Sequence, residues 1–380
     1  MKKILVINTK YREFGGEDAN ISEELKFLNK FYHVEYLEFD NSKRLNFFDI
    51  INIFTLSNRK ANNELSSKIA SFNPDIAYIH NTWFKAGLGI FKILKKSNIK
   101  ILLKIHNFRY ICSKSILASK HKGKNKFCPR CGFSGNFFNK YYKESYFKSL
   151  YLIFFNKKYV KILKKENMTI LVLNKFHKIS MENIGIPADK IKTFFNPISF
   201  IEKDNFTYNK ESNYVVYAGR LTKEKGISEL LKIWSDCSFI DYSLRVIGDG
   251  ELFHNLKGQY ASQNIVFYGP LSNKETINHI KGARGVITAT KMFEGQPRLL
   301  NEASAFGIPS IFPQFGGIEE YFPMNYPLSF EQYNYEDLKN KLMKLNDEKL
   351  LMSVSADILK FTKDLLSAKK LFQKFDELTL

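Results

Sequence analysis

Short apolar segments alternate with helical ones along the whole chain, and this alternation constrains the fold more than any other feature. Strands that alternate with helices form parallel, doubly wound sheets. In the first half of the chain, strands are predicted at Lys3–Asn8, Tyr32–Glu38, Pro74–His80, Lys100–His106, Met168–Asn174 and Ile191–Phe195. The pattern then restarts, with strands predicted at Tyr214–Ala218, Tyr242–Gly248, Asn264–Gly269, Gly285–Thr290 and Ser310–Pro313.

Helices are predicted between these strands. Two helices begin near Asp18 and near Ile318. The others cover Leu45–Phe72, Phe84–Lys96, Phe137–Glu166, Ile227–Ser235, Lys274–Lys281, Tyr335–Lys344 and Leu359–Glu377. The fold class is therefore α/β, with two Rossmann-like domains expected to face each other across a cleft. Residues 1–195 form the first domain with a basic insert at 107–166, residues 196–213 the linker, and residues 214–358 the second domain. We expect the helix in residues 359–380 to cross back to the first domain.

Composition excludes several classes of protein. The chain has 380 residues, enough for two domains. No apolar run reaches the roughly 20 residues that a membrane-spanning helix needs. The amino terminus reads as a first strand and not as a signal peptide. Four cysteines do not make a disulfide framework in a chain of this length, so a cytoplasmic location is expected.

The formal charge of +20 is concentrated in one region. Between Lys114 and Lys165 there are fourteen Lys and Arg residues and one acid, Glu144. Aromatic residues are interleaved with these lysines, a pattern that suits either an anionic membrane surface or single-stranded nucleic acid. An ordinary helix with an aromatic core face and solvated lysines explains many of the same residues.

The richest candidate site is the stretch from Lys291 to Ser310, which reads as strand end, Gly/Pro loop and helix. Gly295 permits unusual dihedrals and Pro297 suits the first helical position. Ligands bind at the carboxyl ends of strands in such sheets, and a helix amino terminus suits phosphate. Glu294 lies on the loop and Glu302 on the helix, one turn after Arg298. Two carboxylates suit hydroxyl groups, such as those of a sugar and a ribose.

Four other strand ends carry candidate residues. The segment Gly219–Gly226 contains Arg220 and Lys225, a planar fork and a point charge for phosphate oxygens. Gly15-Gly16 follows the first strand, and His80 and His106 end two others. Taken alone, a glycine pair is commonest in plain turns, a basic loop is commonly solvated, and a strand-end histidine commonly satisfies a buried hydrogen bond.

The cysteines allow two interpretations. Cys112, Cys128 and Cys131, with His121 nearby, could bind structural zinc, but only one Cys-x2-Cys pair is present. The alternative is a redox-inert loop. Cys237 is expected in the core.

Together these motifs resemble the family-four retaining nucleotide-sugar glycosyltransferases, which have the GT-B fold. The resemblance rests on Gly15-Gly16-Glu17, His106-Asn107, Gly219-Arg220…Lys225-Gly226, Glu294-Gly-Gln-Pro…Glu302-Ala…Gly307-Ile-Pro309 and Gly316-Gly317…Glu320. These motifs occur in order along most of the chain. Gln296 and Glu319 depart from the residues that many relatives have, which leaves the donor sugar open.

The resemblance implies a role for each matching residue. Arg220 and Lys225 would hold the donor diphosphate in place of a metal, and Glu302 would bind the ribose. Glu294 would bind the sugar, together with the loop formed by Gly295, Gln296, Pro297 and Arg298. Gly15, Gly16 and Gly219 would line the donor site, and His106 would hydrogen-bond the transferred sugar.

The reaction implied is transfer of a sugar, with retention, from a nucleotide-diphosphate sugar to a glycan acceptor. The acceptor expected is a polyprenyl-linked precursor of a bacterial-type surface polysaccharide, reached at the inner face of the cell membrane. Apart from the nucleotide-sugar donor and the candidate structural zinc, no cofactor is expected. Nucleic acid is not expected as a partner. Two alternatives remain open: a nucleotide-sugar epimerase or hydrolase of the same fold, and a basic nucleic-acid-binding protein.

Overall fold

The computed structural model describes residues 1–11, 16–42, 55–108, 110, 145–198, 208–209, 211–237 and 241–380. Within it the chain divides into two compact units. The first comprises Met1–Ser199 together with Ala368–Leu380, and the second comprises Phe200–Ser367. Each unit is built around its own six-stranded sheet, in which all neighbouring strands are parallel.

The first sheet has the strand order β2-β1-β3-β4-β5-β6. Its strands are β1 (Lys3–Lys10), β2 (His33–Asp40), β3 (Ile76–Ile79), β4 (Lys100–Lys104), β5 (Thr169–Val172) and β6 (Ile191–Thr193). The central strands are apolar and buried on both faces, as expected when helices cover both sides of a parallel sheet. The helices of this unit are α1 (Gly16–Leu28), α2 (Arg59–Phe72), α3 (Ile90–Lys96), α4 (Tyr146–Lys165) and α5 (Lys175–Glu182).

The second sheet has the order β12-β11-β10-β7-β8-β9. Its strands are β7 (Tyr214–Ala218), β8 (Ser243–Ile247), β9 (Ile265–Gly269), β10 (Gly285–Ile287), β11 (Ser310–Gln314) and β12 (Ser329–Glu331). The helices are α6 (Ile227–Asp236), α7 (Phe253–Tyr260), α8 (Asn273–Lys281), α9 (Arg298–Ala305), α10 (Tyr335–Met343) and α11 (Glu348–Leu366). The predicted fold class is confirmed by these two parallel sheets and their flanking helices.

The last helix, α12 (Ala368–Thr379), packs on the first sheet although it follows the second unit in sequence. Leu371 and Phe375 are buried in the core cluster that contains Ile4 and Tyr78. Lys2 and Tyr32 anchor the end of the helix through the carboxylate of Asp376, at 3.4 and 3.1 Å from Oδ1. This helix therefore completes the hydrophobic core of the first unit.

Several element boundaries differ from the prediction. The tail expected to be one helix, Leu359–Glu377, is two, because Ser367 has an extended ψ of 138° that ends α11. The helix predicted from Phe84 begins only at Ile90. Strand β12 and helix α7 were not predicted: β12 has three residues, and α7 buries only Leu256. Weak amphipathic patterns of this kind give little signal in sequence.

Candidate functional site

The second sheet reverses its strand order between β7 and β10. From β7 the chain continues to β8 on one side, and from β10 it continues to β11 on the other. Loops that leave neighbouring strands in opposite directions open a crevice at the carboxyl ends, where open α/β sheets bind ligands. The loop after β7 contains Gly219, Arg220 and Lys225, and the loop after β10 contains Glu294. The residues predicted from the motifs therefore lie at the topological switch point of this sheet.

The two loops are in direct contact. Lys225 Nζ lies 2.6 Å from Glu294 Oε1, and Thr290 Oγ1 donates to the same carboxylate oxygen at 3.1 Å. The backbone N–H of Lys291 donates to Glu224 O at 2.9 Å. Gly226 has a φ of +67°, and a Cβ there would lie 1.9 Å from Ala289 O. Only glycine allows this close approach, and it brings the cation-bearing loop against the end of β10.

Arg220 differs from Lys225 in its exposure. Its side chain is 64% exposed, and its terminal nitrogen Nη2 lies 3.9 Å from Glu224 Oε1. The side chain of Lys225 is 21% exposed and is held by Glu294. One cation is therefore fixed in position by an ion pair, while the other can reach an anionic ligand from the solvent side.

Helix α9 begins directly after the Glu294 loop. Its N-cap is Pro297, whose side chain makes no capping hydrogen bond to the N–H groups of the first turn. Gly295 does not use the positive φ that glycine permits, and Pro297, with φ −70° and ψ 108°, makes the turn into the helix. Gln296 is half-buried in this loop. Free N–H groups at a helix amino terminus favour an anionic ligand.

Glu302 is buried on α9 and paired one turn back with Arg298. Arg298 Nε lies 2.5 Å from Glu302 Oε1, and Nη2 donates to Asn273 Oδ1 at 3.3 Å. Its remaining terminal nitrogen, Nη1, is buried without a hydrogen-bond acceptor among the described residues. A half-buried guanidinium with an unused donor suits an oxygen-rich ligand.

In the first unit, His80 follows β3 and His106 follows β4. His80 Nδ1 lies 2.9 Å from His106 Nε2, and the two rings stack with centroids 5.2 Å apart. Both histidines line a small cavity of about 40 Å³, together with Glu17, Trp83, Asn107 and Asn156. Gly16 is exposed at the start of α1. Glu17, its neighbour, accepts a hydrogen bond from Asn107 Nδ2 at 3.1 Å, so the Gly16-Glu17 and His106-Asn107 motifs meet here.

Below these histidines is a buried ion pair that was not predicted. Lys104 Nζ lies 2.7 Å from Glu24 Oε1, and both side chains are at most 1% exposed. Tyr78 donates its hydroxyl to the same oxygen at 2.5 Å. The second oxygen, Glu24 Oε2, lies 3.8 Å from His80 Nδ1. The sequence signal for this network is Lys104 itself, because a lysine inside a buried apolar strand requires an acidic partner.

Both histidines are neutral at physiological pH. Burial lowers the pKa of His80 well below its usual value, and the positive charge of Lys104 lowers it further. Burial likewise lowers the pKa of His106, with added contributions from His80 and Lys104. Two neutral imidazoles can share only one hydrogen between Nδ1 and Nε2, so one ring donates and the other accepts.

Glu24, His80 and His106 also have the spacing of a metal site among the described residues, with ligand atoms within 4.8 Å of one another. Their contacts argue against that use. The ammonium of Lys104 already neutralises Glu24, and a cation placed beside it would be repelled.

The zinc candidates Cys112, His121, Cys128 and Cys131 lie outside the described residues, as does Gly15. Cys237 is buried, as expected.

A third histidine makes the stability of the first unit depend on pH. His177 is fully buried beside the rings of Phe108 and Tyr110, and burial lowers its pKa from 6.5 to about 3. The unfolded chain therefore binds a proton that the folded chain excludes. The contribution of neutral His177 to the free energy of unfolding is fully present above pH 6.5. It is lost as the pH falls from 6.5 towards 3, at about 1.4 kcal/mol per pH unit.

We expect His177→Leu to remove that contribution to the pH dependence of the unfolding free energy, measured by urea denaturation between pH 6.5 and 4.5. His254→Leu, at an exposed position, is the matched control and is expected to keep the wild-type slope. An identical slope in wild type and His177→Leu would contradict the assignment.

Two units of this kind, each a parallel sheet with a ligand crevice at its strand ends, define the GT-B class of fold. Solved structures agree. The crystal structure of Anabaena HepE in complex with UDP and glucose superposes with a TM-score of 0.67 over 99% of this chain and 99% of that one, at 13% sequence identity. At that identity the likeness establishes the fold.

The sequence comparisons point to one family. A family model described as "Glycosyl transferases group 1" matches residues 200–357. The O-antigen biosynthesis glycosyltransferase WbnH of Escherichia coli is 31% identical over 173 residues, or 45% of this chain and 48% of that protein. The amylovoran biosynthesis glycosyltransferase AmsD of Erwinia amylovora is 28% identical over 136 residues, or 35% and 37%. The alignments thus span half or less of these relatives. The resemblance to nucleotide-sugar glycosyltransferases is confirmed.

Proposed function

We propose that this protein is a glycosyltransferase that moves a sugar from a nucleotide-diphosphate sugar to a glycan acceptor. The observation that carries the proposal is the contact between the Lys225 loop and the Glu294 loop at the switch point of the second sheet. A cation for phosphate and a carboxylate for hydroxyl groups lie 2.6 Å apart there. A nucleotide sugar presents a diphosphate and a ring of hydroxyls as immediate neighbours.

Each site residue has a role in this proposal. Arg220 and Lys225 bind the diphosphate, and the amino terminus of α9, which Pro297 does not cap with a side-chain hydrogen bond, adds N–H donors to it. Glu294 binds hydroxyls of the donor sugar, and Glu302 binds the ribose. The unused Nη1 donor of Arg298 supports an oxygen-rich ligand at this helix. His106 hydrogen-bonds the transferred sugar, and Gly16 and Gly219 leave room for ligands.

The proposed chemistry follows from where charge develops. The bond between the anomeric carbon and the diphosphate oxygen breaks, and a new bond forms from that carbon to an acceptor hydroxyl. Negative charge accumulates on the leaving diphosphate, where fixed cations stabilise it. The leaving phosphate oxygen takes the acceptor proton. Attack on the same face retains the anomeric configuration and needs no protein base, and the two cations take the place of a metal ion.

The acceptor we propose is a lipid-linked precursor of a surface polysaccharide. WbnH and AmsD are named for O-antigen and amylovoran biosynthesis, both of which concern bacterial polysaccharides. HepE was crystallised with UDP, which makes a uridine nucleotide the first donor to test. Polyprenyl-linked acceptors are membrane-bound, so we place the enzyme at the cytoplasmic face of the cell membrane.

Helix α4 supports membrane attachment. It contains six lysines and no acidic residue. Tyr146, Phe147 and Phe154 are 54%, 68% and 52% exposed. Exposed rings beside exposed lysines suit the interface of an anionic bilayer. Among the described residues, no helix is long and apolar enough to cross a membrane.

We expect the protein to co-sediment with vesicles containing anionic lipid and to be released by salt. The triple variant Lys157→Gln, Lys158→Gln and Lys161→Gln should bind at least tenfold more weakly, since each lysine near such a surface contributes about 1 kcal/mol. A matched triple variant at exposed lysines of the second unit (Lys232, Lys257 and Lys274) should bind like wild type. Equal binding to neutral vesicles would refute the electrostatic contribution.

A thermal-shift panel tests the proposed function itself. The protein is heated with UDP, GDP, their sugar conjugates and a single-stranded oligonucleotide, in wild type and Glu302→Gln. We expect one nucleoside diphosphate and its sugar conjugate to raise the melting temperature of wild type by several degrees, and Glu302→Gln to lose most of that shift. Stabilisation by the oligonucleotide alone would favour the nucleic-acid-binding alternative. Consumption of the donor without transfer would favour the epimerase or hydrolase.

A further inference from the structure

The hydrogen bond between His80 and His106 limits the tautomers that the two rings can adopt. Both rings are neutral, and His80 Nδ1 lies 2.9 Å from His106 Nε2. One arrangement places the shared hydrogen on His80 Nδ1, so that His106 carries its own hydrogen on Nδ1. The other places it on His106 Nε2, so that His80 carries its hydrogen on Nε2. The surroundings of the pair decide between them.

The carboxylate of Glu24 favours a hydrogen on His80 Nδ1. Glu24 Oε1 is occupied by Lys104 and Tyr78, which fixes the orientation of the carboxylate. Its other oxygen, Oε2, has no hydrogen-bond donor among the described residues and lies 3.8 Å from His80 Nδ1. An N–H at that nitrogen is attracted to the carboxylate, whereas a lone pair there is repelled by it.

The positions of the unpaired nitrogens lead to the same choice. Within the described part of the chain, His80 Nε2 and His106 Nδ1 are buried without partners. Either arrangement leaves one N–H unpaired, on His106 Nδ1 in the first and on His80 Nε2 in the second. Both histidines line the cavity, but the His80 side chain is 0% exposed whereas the residue His106 is half-buried. An unpaired N–H costs less on the less enclosed residue.

We infer that His80 is a positioning residue that holds His106 in the Nδ1–H tautomer, so that His106 offers an N–H donor to a lone pair of a sugar oxygen. The order of contacts is Lys104 and Tyr78 to Glu24, Glu24 to His80, and His80 to His106. Only the identity of the ligand rests on the proposed function. The tautomer follows from the contacts within the first unit.

The test is nitrogen NMR of protein with labelled histidine, in which the protonated and unprotonated nitrogens of a neutral ring resonate far apart. The signals of His106 are assigned by their absence from His106→Gln. His80→Asn keeps an N–H donor close to the position of Nδ1, whereas His80→Leu removes the donor. We expect the Nδ1–H form of His106 in wild type and in His80→Asn, and a mixture or the Nε2–H form in His80→Leu.

Kinetics give a second readout. The value of kcat/KM should fall about tenfold in His80→Leu, as when one hydrogen bond to a ligand is lost, and less than about threefold in His80→Asn. An Nε2–H His106 in wild type would overturn the inference, and so would the same tautomer in His80→Leu as in wild type. If His80→Leu fails to fold, wild type and His80→Asn decide the question. The NMR result stands whether or not sugar transfer is detected, so failure of the proposed function is seen separately.

Discussion

Replacing Lys225 with alanine is expected to lower turnover by about 10²–10³-fold, the loss typical when a preorganised group that stabilises transition-state charge is removed. In the proposed reaction, negative charge develops on the leaving diphosphate, and Lys225 is the cation that Glu294 fixes at the switch point. Arg220→Ala should have an effect of the same order. Its side chain is 64% exposed, so its truncation removes no buried contact and should leave the fold intact.

Lys223→Ala is the matched control for both variants. Lys223 lies in the same short helical turn, Lys223–Lys225, but its side chain is exposed. Turnover in Lys223→Ala should stay within about twofold of wild type, because a solvated surface charge contributes little. Initial rates at saturating donor measure the effect, and melting temperatures show whether each variant is folded. Wild-type rates in Lys225→Ala or Arg220→Ala would contradict the assignment.

The second large effect is on stability. Lys104→Met is expected to lower the free energy of unfolding by about 3–5 kcal/mol, because it leaves the buried carboxylate of Glu24 without its counter-charge. Burial lowers the pKa of Lys104, and the neighbouring carboxylate of Glu24 offsets part of that lowering. The charge of Lys104 is therefore stabilised by Glu24. Chemical denaturation at pH 7 measures the change.

The double variant Glu24→Gln with Lys104→Met separates the two contributions. It removes both charges, so most of the lost stability should return. Lys100→Met, at the half-buried start of the same strand, should change stability by less than about 1 kcal/mol. A single variant Lys104→Met that is as stable as wild type would show that the ion pair contributes nothing to the fold.

Much of the architecture follows from sequence because the strands are strongly patterned. The segment Tyr214–Ala218 is an apolar run followed by glycine, and its predicted bounds agree with those of β7. The turn and helix predicted in Lys291–Ser310 are correct, because Pro297 starts the helix and Gly307 ends it through their own backbone preferences. Strand β12 was missed because its three residues gain stability only by pairing with β11. Tertiary contacts of that kind leave no periodic signal.

The site was predictable in its parts but not in its pairings. Motifs identified Lys225, Glu294 and Glu302, and the i,i+4 spacing of Arg298 and Glu302 on a predicted helix allowed that pair, yet nothing in the sequence showed that Lys225 binds Glu294. The relation between His80 and Glu24 was also inaccessible, because these residues are 56 positions apart, directly after β3 and on α1, and meet only when the sheet and helix pack. Such pairings depend on register and packing, which a single sequence does not encode locally.

Sugar transfer itself is the central claim, and the most direct measurement is of the reaction products. The protein is incubated with UDP-sugars, with and without EDTA, and with membrane lipid extract from a polysaccharide-producing bacterium as acceptor. Released UDP is quantified, and proton NMR of the glycan gives the anomeric configuration. We predict UDP release that Lys225→Ala lowers by about 10²–10³-fold and EDTA leaves unchanged, with the configuration of the donor retained in the product. An inverted product, or UDP release that is equal in wild type and Lys225→Ala, would contradict the proposed mechanism.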